Sequence, residues 1–245
     1  MDIEDIITEV CDGGIILIRY NKPKKKNALN LNMYRRVIDI LQEASRDDNV
    51  GVVVLTGTGD FYSSGNDLTA AFNYEGVYDL YPVLRDFIRA FIEFPKILVA
   101  IVNGPAIGIA ATTLPLCDLV FASENSYFYT PFTKLGIVAE GCSSFTFSRI
   151  MGERKALEML LFNYKMPAIE ALQCGFVNEL YKPEELQHKV WDKIIEVTNM
   201  KRESLIESKK LIRGQIKDHL LEINDKELKT VNDMHPLKKI GKSKL

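Results

Sequence analysis

The chain has 245 residues, 47% hydrophobic and 26% charged, enough for one sizeable globular domain with a helical appendage. Its formal net charge of −2 gives no field for nucleic acid or an anionic membrane, so neither is an expected partner. Four scattered cysteines (Cys11, Cys117, Cys142, Cys174), no CxxC and histidines only in the C-terminal third argue against a metal site or a disulfide framework and fit a reducing compartment.

The segment MDIEDIITEV is acidic and reads as neither signal nor transit peptide. Ile15–Tyr20 reads as a strand, and Asn21–Asn27 as a basic loop. Asn30 or Asn32 caps a helix to about Ala44, with Tyr34, Val37, Ile38 and Leu41 as its apolar stripe. Val50–Thr56 is a continuous apolar run, the pattern of a strand buried on both faces. A Gly/Ser loop, Gly57–Asp67, leads to a helix over Tyr81–Phe94.

No charge occurs between Lys96 and Asp118, a length that would allow a membrane span. The punctuation predicts otherwise: strand Ile97–Val102, turn Asn103-Gly104-Pro105, then a buried helix over Ala106–Leu116. A helix start beside a turn offers free N–H groups and a positive dipole end, the raw material for holding an oxyanion. A core strand packed on a core helix is the plain alternative. Short strands follow at Leu119–Ala122 and Tyr127–Tyr129, then helices near Cys142–Ile150, Arg154–Phe162, Ala168–Cys174, Glu184–Met200, Glu203–Ile212 and Asp218–Asp233. Strands alternating with helices predict an α/β fold of βαβ units. Asp118 reads as a buttress of the central helix, and Cys117, Cys142 and Trp191 as packing residues. The tripeptide Ser243-Lys244-Leu245 is a receptor-read peroxisomal address, which predicts an import receptor as partner and the peroxisomal matrix as location.

The loop Phe61–Leu68 (FYSSGNDL) carries a glycine that lets backbone approach a ligand, and no G-K-[ST] makes it a Walker loop. Lys22-Pro23 with Asn27-Ala28-Leu29, Ser64-Gly65-Asn66-Asp67-Leu68, Asn103-Gly104-Pro105-Ala106-Ile107-Gly108 and Cys117-Asp118 occur in this order. In these motifs the sequence resembles the crotonase (enoyl-CoA hydratase/isomerase) superfamily, from about Ile15 to Ile212. The resemblance implies a crotonase-like ββα spiral over residues 1–200, a C-terminal helical oligomerisation region and tail over 201–242, the targeting tripeptide at 243–245, and a homotrimer or dimer of trimers. It implies an acyl-CoA substrate, its thioester oxygen held by the backbone N–H groups of Asn66 and Ile109. Ser63, Ser64, Gly65, Asp67, Leu68, Lys24, Ala28, Gly108 and Phe132 would surround it. Coenzyme A is then part of the substrate, and no separate cofactor is expected.

Hydratases of this family use two glutamates, and the matching positions here are Thr112 and Phe132, which excludes water addition by that route. Glu140 remains, in the pattern FxTPFxxLGxxxEGCSS over Phe128–Ser144. Read alone, it is a carboxylate at a helix N-terminus. By resemblance it matches the single glutamate of peroxisomal Δ3,Δ2-enoyl-CoA isomerases, on the wall opposite the central helix. One base suffices to take a proton from carbon 2 and return it at carbon 4. Phe132, Ile137 and Val138 would keep the site dry and raise the carboxyl pKa. Lys22–Lys26, Lys209, Lys210 and Arg213 read either as solvated faces or as contacts to CoA phosphates. Two other readings are a catalytically silent acyl-CoA-binding module, as in chromodomain Y-like corepressors, and a dienoyl-CoA isomerase, which would bring further acidic groups.

Overall fold

The computed structural model describes residues 4–67 and 74–234, with backbone alone over 74–79. Six strands make the main sheet in the order β1-β2-β3-β4-β6-β9: Ile6–Cys11, Ile15–Tyr20, Val52–Gly57, Ile97–Val102, Leu119–Ser123 and Glu179–Tyr181. β1 is antiparallel to β2, and every other pairing is parallel. A small sheet crosses beside it, β5 (Ala106–Ile107), β7 (Tyr127–Tyr129) and β8 (Met166–Pro167).

The two-residue period of a strand sorts the main sheet's side chains into two cores. Ile18, Val53, Leu55, Leu98, Ala100 and Val102 face one apolar cluster. Ile15, Leu17, Val52, Val54, Val99 and Ile101 face the other. All six residues of β3 are buried, as its unbroken apolar run predicts. The first cluster is covered by α1 (Leu31–Arg46), α2 (Tyr74–Glu93), α4 (Ser143–Met151) and α5 (Glu153–Leu160), with the one-turn α3 (Ile109–Thr112) and α6 (Ala168–Gln173) beside the small sheet. The second is covered by α7 (Pro183–Thr198) through Leu186, Val190, Trp191 and Ile194. Asn30 is the cap of α1, its Oδ1 accepting from Met33 N–H at 2.9 Å. Burial of Met33, Tyr34, Val37, Ile40, Leu41 and Ala44 then holds that helix to the sheet, at roughly 1.5–3 kcal/mol per large side chain.

Four expectations change. The helix over Ala106–Leu116 is instead a two-residue strand, one α-turn and a 3-10 turn at Leu114–Leu116. Pro115 has no N–H to continue the helix, and the Thr112 and Thr113 hydroxyls both donate back to Ile109 O. The last two helices are one, α8 (Arg202–Met234), which runs through Gly214 because the Lys209 and Arg213 contacts before it and the burial of Leu220, Leu228 and Val231 after it outweigh about 1 kcal/mol of glycine penalty. α2 begins at Tyr74 rather than Tyr81 and carries Pro82 inside it. β1 escapes a pattern reading because it is an edge strand with one buried residue, Ile6. Among the described residues no helix is long and apolar enough to cross a membrane.

Candidate active site

The site is built where the ends of three chain segments are sewn together. Asn27 is fully buried and does most of the stitching. Its Nδ2 donates to the carbonyls of Thr58 (3.0 Å) and Phe61 (2.7 Å), and its Oδ1 accepts from Lys22 N–H at 2.9 Å. Leu29 N–H donates to Gly65 O at 2.8 Å, and Asp67 N–H donates to Leu29 O at 2.9 Å. Ile107 N–H reaches Ser63 O at 3.0 Å, and Gly108 N–H reaches Tyr129 O at 2.8 Å. Gly65 (φ 83°) lies so close to the next layer that a Cβ there would stand 2.5 Å from Ile107 O. Only glycine fits this close approach in this conformation.

This lamination leaves two backbone donors unused. Among the described residues, neither Asn66 N–H nor Ile109 N–H has an intramolecular acceptor. They stand on adjacent layers, and Ile109 N–H opens a helical turn. Ala28 is buried, and the space over Gly108 (φ 60°) is open.

Glu140 completes the site. It is 1% exposed, and Asn66 Nδ2 donates to its Oε1 at 3.4 Å. Asn66 Oδ1 in turn accepts from Tyr34 OH on α1. Burial first, and then the charge of Glu227, push the Glu140 carboxyl up to about 8, against a small opposing pull from Asn66. The loop that carries Glu140 does not face α3 from across the pocket, as expected. It rests on α3: a Cβ on Gly141 (φ 70°) would lie 2.2 Å from Thr112 Oγ1 and 3.3 Å from Ile109 Cδ1. Thr112 is thus a packing residue under this loop. Phe132 is buried in the large cluster, with Ile137 and Ala139 half-buried against it.

Other expected residues divide by their surroundings. Ser63 is fully buried, its Oγ donating to Asn27 O at 2.8 Å and accepting from Gly65 N–H at 3.1 Å, so it braces the loop and offers nothing to a ligand. Ser64 Oγ donates to Lys25 O at 3.4 Å. Asp67 is paired with Lys22 (3.7 Å) and Lys25 (3.8 Å), while Lys24 is exposed on the same basic turn. Lys209 and Arg213 are not free for a phosphate. Lys209 Nζ is 2.7 Å from Asp118 and donates to Lys96 O, and Arg213 donates to the carbonyls of Pro115 and Cys117. Leu68 and Ser243-Lys244-Leu245 lie outside the described residues. Among the described residues no cluster of His, Cys, Asp and Glu could hold a metal ion.

Two contributors escaped the sequence reading. The Asn66 side chain was assigned no role, yet it touches the carboxylate. Glu227, on α8, is buried and accepts N–H groups from Cys142 (2.7 Å) and Ser144 (2.9 Å). The signal for it was present: Leu220, Asn224, Glu227 and Val231 share one helical stripe, so two polar residues sit on the apolar face.

A family model described as Enoyl-CoA hydratase/isomerase matches residues 11–243. The chain is 44% identical over 225 residues to enoyl-CoA delta isomerase 2 of Rattus norvegicus, covering 90% of this chain and 57% of that protein. It is 41% identical over 237 residues to "Enoyl-CoA delta isomerase 3, peroxisomal" of Mus musculus, covering 95% and 74%. The chain therefore spans little more than half of the isomerase 2 protein it matches. A solved enoyl-CoA hydratase/isomerase from Pseudoalteromonas atlantica T6c superposes with a TM-score of 0.88 at 31% identity, over 94% of this chain and 91% of that one.

Proposed function

The chain belongs to the enoyl-CoA hydratase/isomerase family, and we propose that it moves the double bond of a 3-enoyl-CoA to the 2-trans position. The observation that carries this reading is a buried carboxylate, Glu140, hydrogen-bonded to the residue whose own N–H is unused. The thioester oxygen accepts from Asn66 N–H and Ile109 N–H. Glu140 removes a proton from carbon 2, and the electron pair spreads onto the oxygen and carbon 4. The two N–H groups stabilise that charge without reorganising, and the burial of Glu140 keeps water scarce around the base. The same carboxyl returns its proton to carbon 4. A raised pKa suits a group that must both take and give a proton near neutral pH.

No cofactor is needed for this chemistry. The non-acidic Thr112 and Phe132 leave no pair of carboxylates to activate a water. Glu227 does not serve a dienoyl-CoA isomerase as a second base, because both its oxygens are engaged by backbone N–H groups. The exposed Lys24 would meet a CoA phosphate. A homotrimer or dimer of trimers, peroxisomal residence and a role in β-oxidation of unsaturated acyl chains complete the proposal. They rest on the family, on Ser243-Lys244-Leu245 and on the likeness to the mouse isomerase 3.

The test is turnover of 3-cis- and 3-trans-enoyl-CoA to the conjugated product, followed spectrophotometrically. The Glu140→Ala variant is expected to bind acyl-CoA and to lose turnover. Near-normal rates in that variant would sink the reading.

A further inference from the structure

We infer that Glu227 is a positioning residue for Glu140: from α8 it grips the loop that carries the base and takes the helix N-terminus that the base would otherwise occupy. The inference rests on the reading of Glu140 as the proton carrier.

The geometry is specific. Glu227 Oε2 accepts from Cys142 N–H at 2.7 Å and Oε1 accepts from Ser144 N–H at 2.9 Å. These are donors at the opening of α4, where a carboxylate is stabilised by unpaired N–H groups and the helix dipole. Sequence alone gave this place to Glu140. The structure gives it to a residue 87 positions further on. Among the described residues the Glu140 carboxyl is left with one long hydrogen bond, from Asn66. The segment between is held in an unusual course, with φ of 70° at Gly141 and 62° at Cys142. A non-glycine residue in that region persists only where its surroundings enforce it. Two charge-assisted hydrogen bonds from Glu227, and Cys142 Sγ on Leu220 O at 3.3 Å, supply that enforcement. Asn224 Nδ2 also donates to Arg85 O at 3.1 Å, which ties this stretch of α8 to α2.

The titratable groups facing the two carboxyls are Tyr34 from α1, Tyr81 from α2 and Cys142. Among the described residues no cation pairs with either. Two buried carboxyls with one set of good donors divide their roles. Burial pushes the Glu227 carboxyl up as well, but its two backbone N–H donors favour the charged form, so Glu227 carries the negative charge of the pair and Glu140 holds the proton more tightly because of it. A plain structural cap would steady the helix and leave the proton affinity of Glu140 alone.

The experiment separates these. In Glu227→Gln the charge is gone and one acceptor is lost. With a 3-enoyl-CoA, kcat should fall at least tenfold, KM should stay within threefold, and the acid limb of the pH profile should move at least half a unit lower. An unmoved acid limb in a folded Glu227→Gln protein would overturn the inference. If circular dichroism shows that variant unfolded, Glu227→Asp decides. It keeps the charge but withdraws it by one methylene, so kcat should fall at least fivefold with the limb in place, and wild-type kcat would overturn the inference. Full turnover by Glu140→Gln would instead remove the underlying function, an outcome that no result on Glu227 can mimic.

Discussion

Two segments of the site are fixed in opposite ways. Residues 103–112 are set by the close approach of backbone layers. Gly104 lies against Asp60 O, Gly65 lies against Ile107 O, and the Asn103 side chain accepts from Gly57 N–H and donates to Gly59 O, contacts that all end on backbone of the loop at 57–65. Residues 140–144 are set from far away, by Glu227, Leu220 and Asn66. The first segment presents backbone N–H, which every residue but proline carries. The second presents one particular carboxylate in one particular environment. A backbone device tolerates substitution and needs glycines, whereas a side-chain device needs partners that sequence proximity does not reveal.

The comparison breaks most visibly at Glu140. Glu140→Gln should lose turnover by about 10³-fold or more, in the range of general acid–base contributions, with acyl-CoA binding retained at the backbone donors. The same change should stabilise the protein. A carboxyl raised from 4.5 to about 8 holds its proton in the folded state across that window, so wild-type stability falls as pH rises through it. Glu140→Gln removes that loss, and Tm should rise by roughly 10 °C at pH 9 and stay unchanged at pH 4. A variant less stable than wild type at pH 9 would contradict the burial argument.

Gly141→Ala joins the two segments, since its Cβ meets Thr112 Oγ1. It should cost about 10²-fold in kcat/KM, with Thr112→Ala restoring part of the loss and the positive φ preventing full recovery. If the second change restores nothing, the two segments do not communicate through this contact. In the wild-type protein, kcat/KM should climb about tenfold per pH unit below pH 8, because the base works only when ionised. A flat profile between pH 6 and 8 would show that the apolar setting fails to hold the proton.

Lys209→Met should act on stability alone. Lys209 Nζ is 10% exposed beside Asp118, and breaking such a pair costs about 3 kcal/mol, while KM for acyl-CoA should stay within twofold. Lys24→Ala should do the reverse, with KM up about threefold and unchanged Tm, as expected of one exposed charge on a phosphate. An unchanged KM would assign the CoA contact elsewhere.

The legible parts follow the same division. The buried β3, the turn at Asn103-Gly104-Pro105 and the loop glycines announce themselves through composition and period. The short course of α3 was obscured because small apolar residues look helical until Pro115 is weighed. Lys209 and Arg213 read as a solvated face or as phosphate contacts because their acceptors, Asp118 and two carbonyls, lie about 90 to 100 residues away. Glu227 is legible only as a polar residue on a stripe of apolar ones, and nothing local says what it touches. Asn66 was half read: its backbone by position, its side chain only once Glu140 was seen beside it.

The contact between α8 and the loop at 142–144 also has a meaning in time. It closes a loop of more than 80 residues, and such long-range closures form late in folding. Strands β1 to β6 and both backbone donors lie within the first 123 residues. The carboxylate acquires its setting only when the final long helix docks. A molecule caught before that step would hold substrate and leave it unchanged, so catalytic competence doubles as a report that the whole chain has folded.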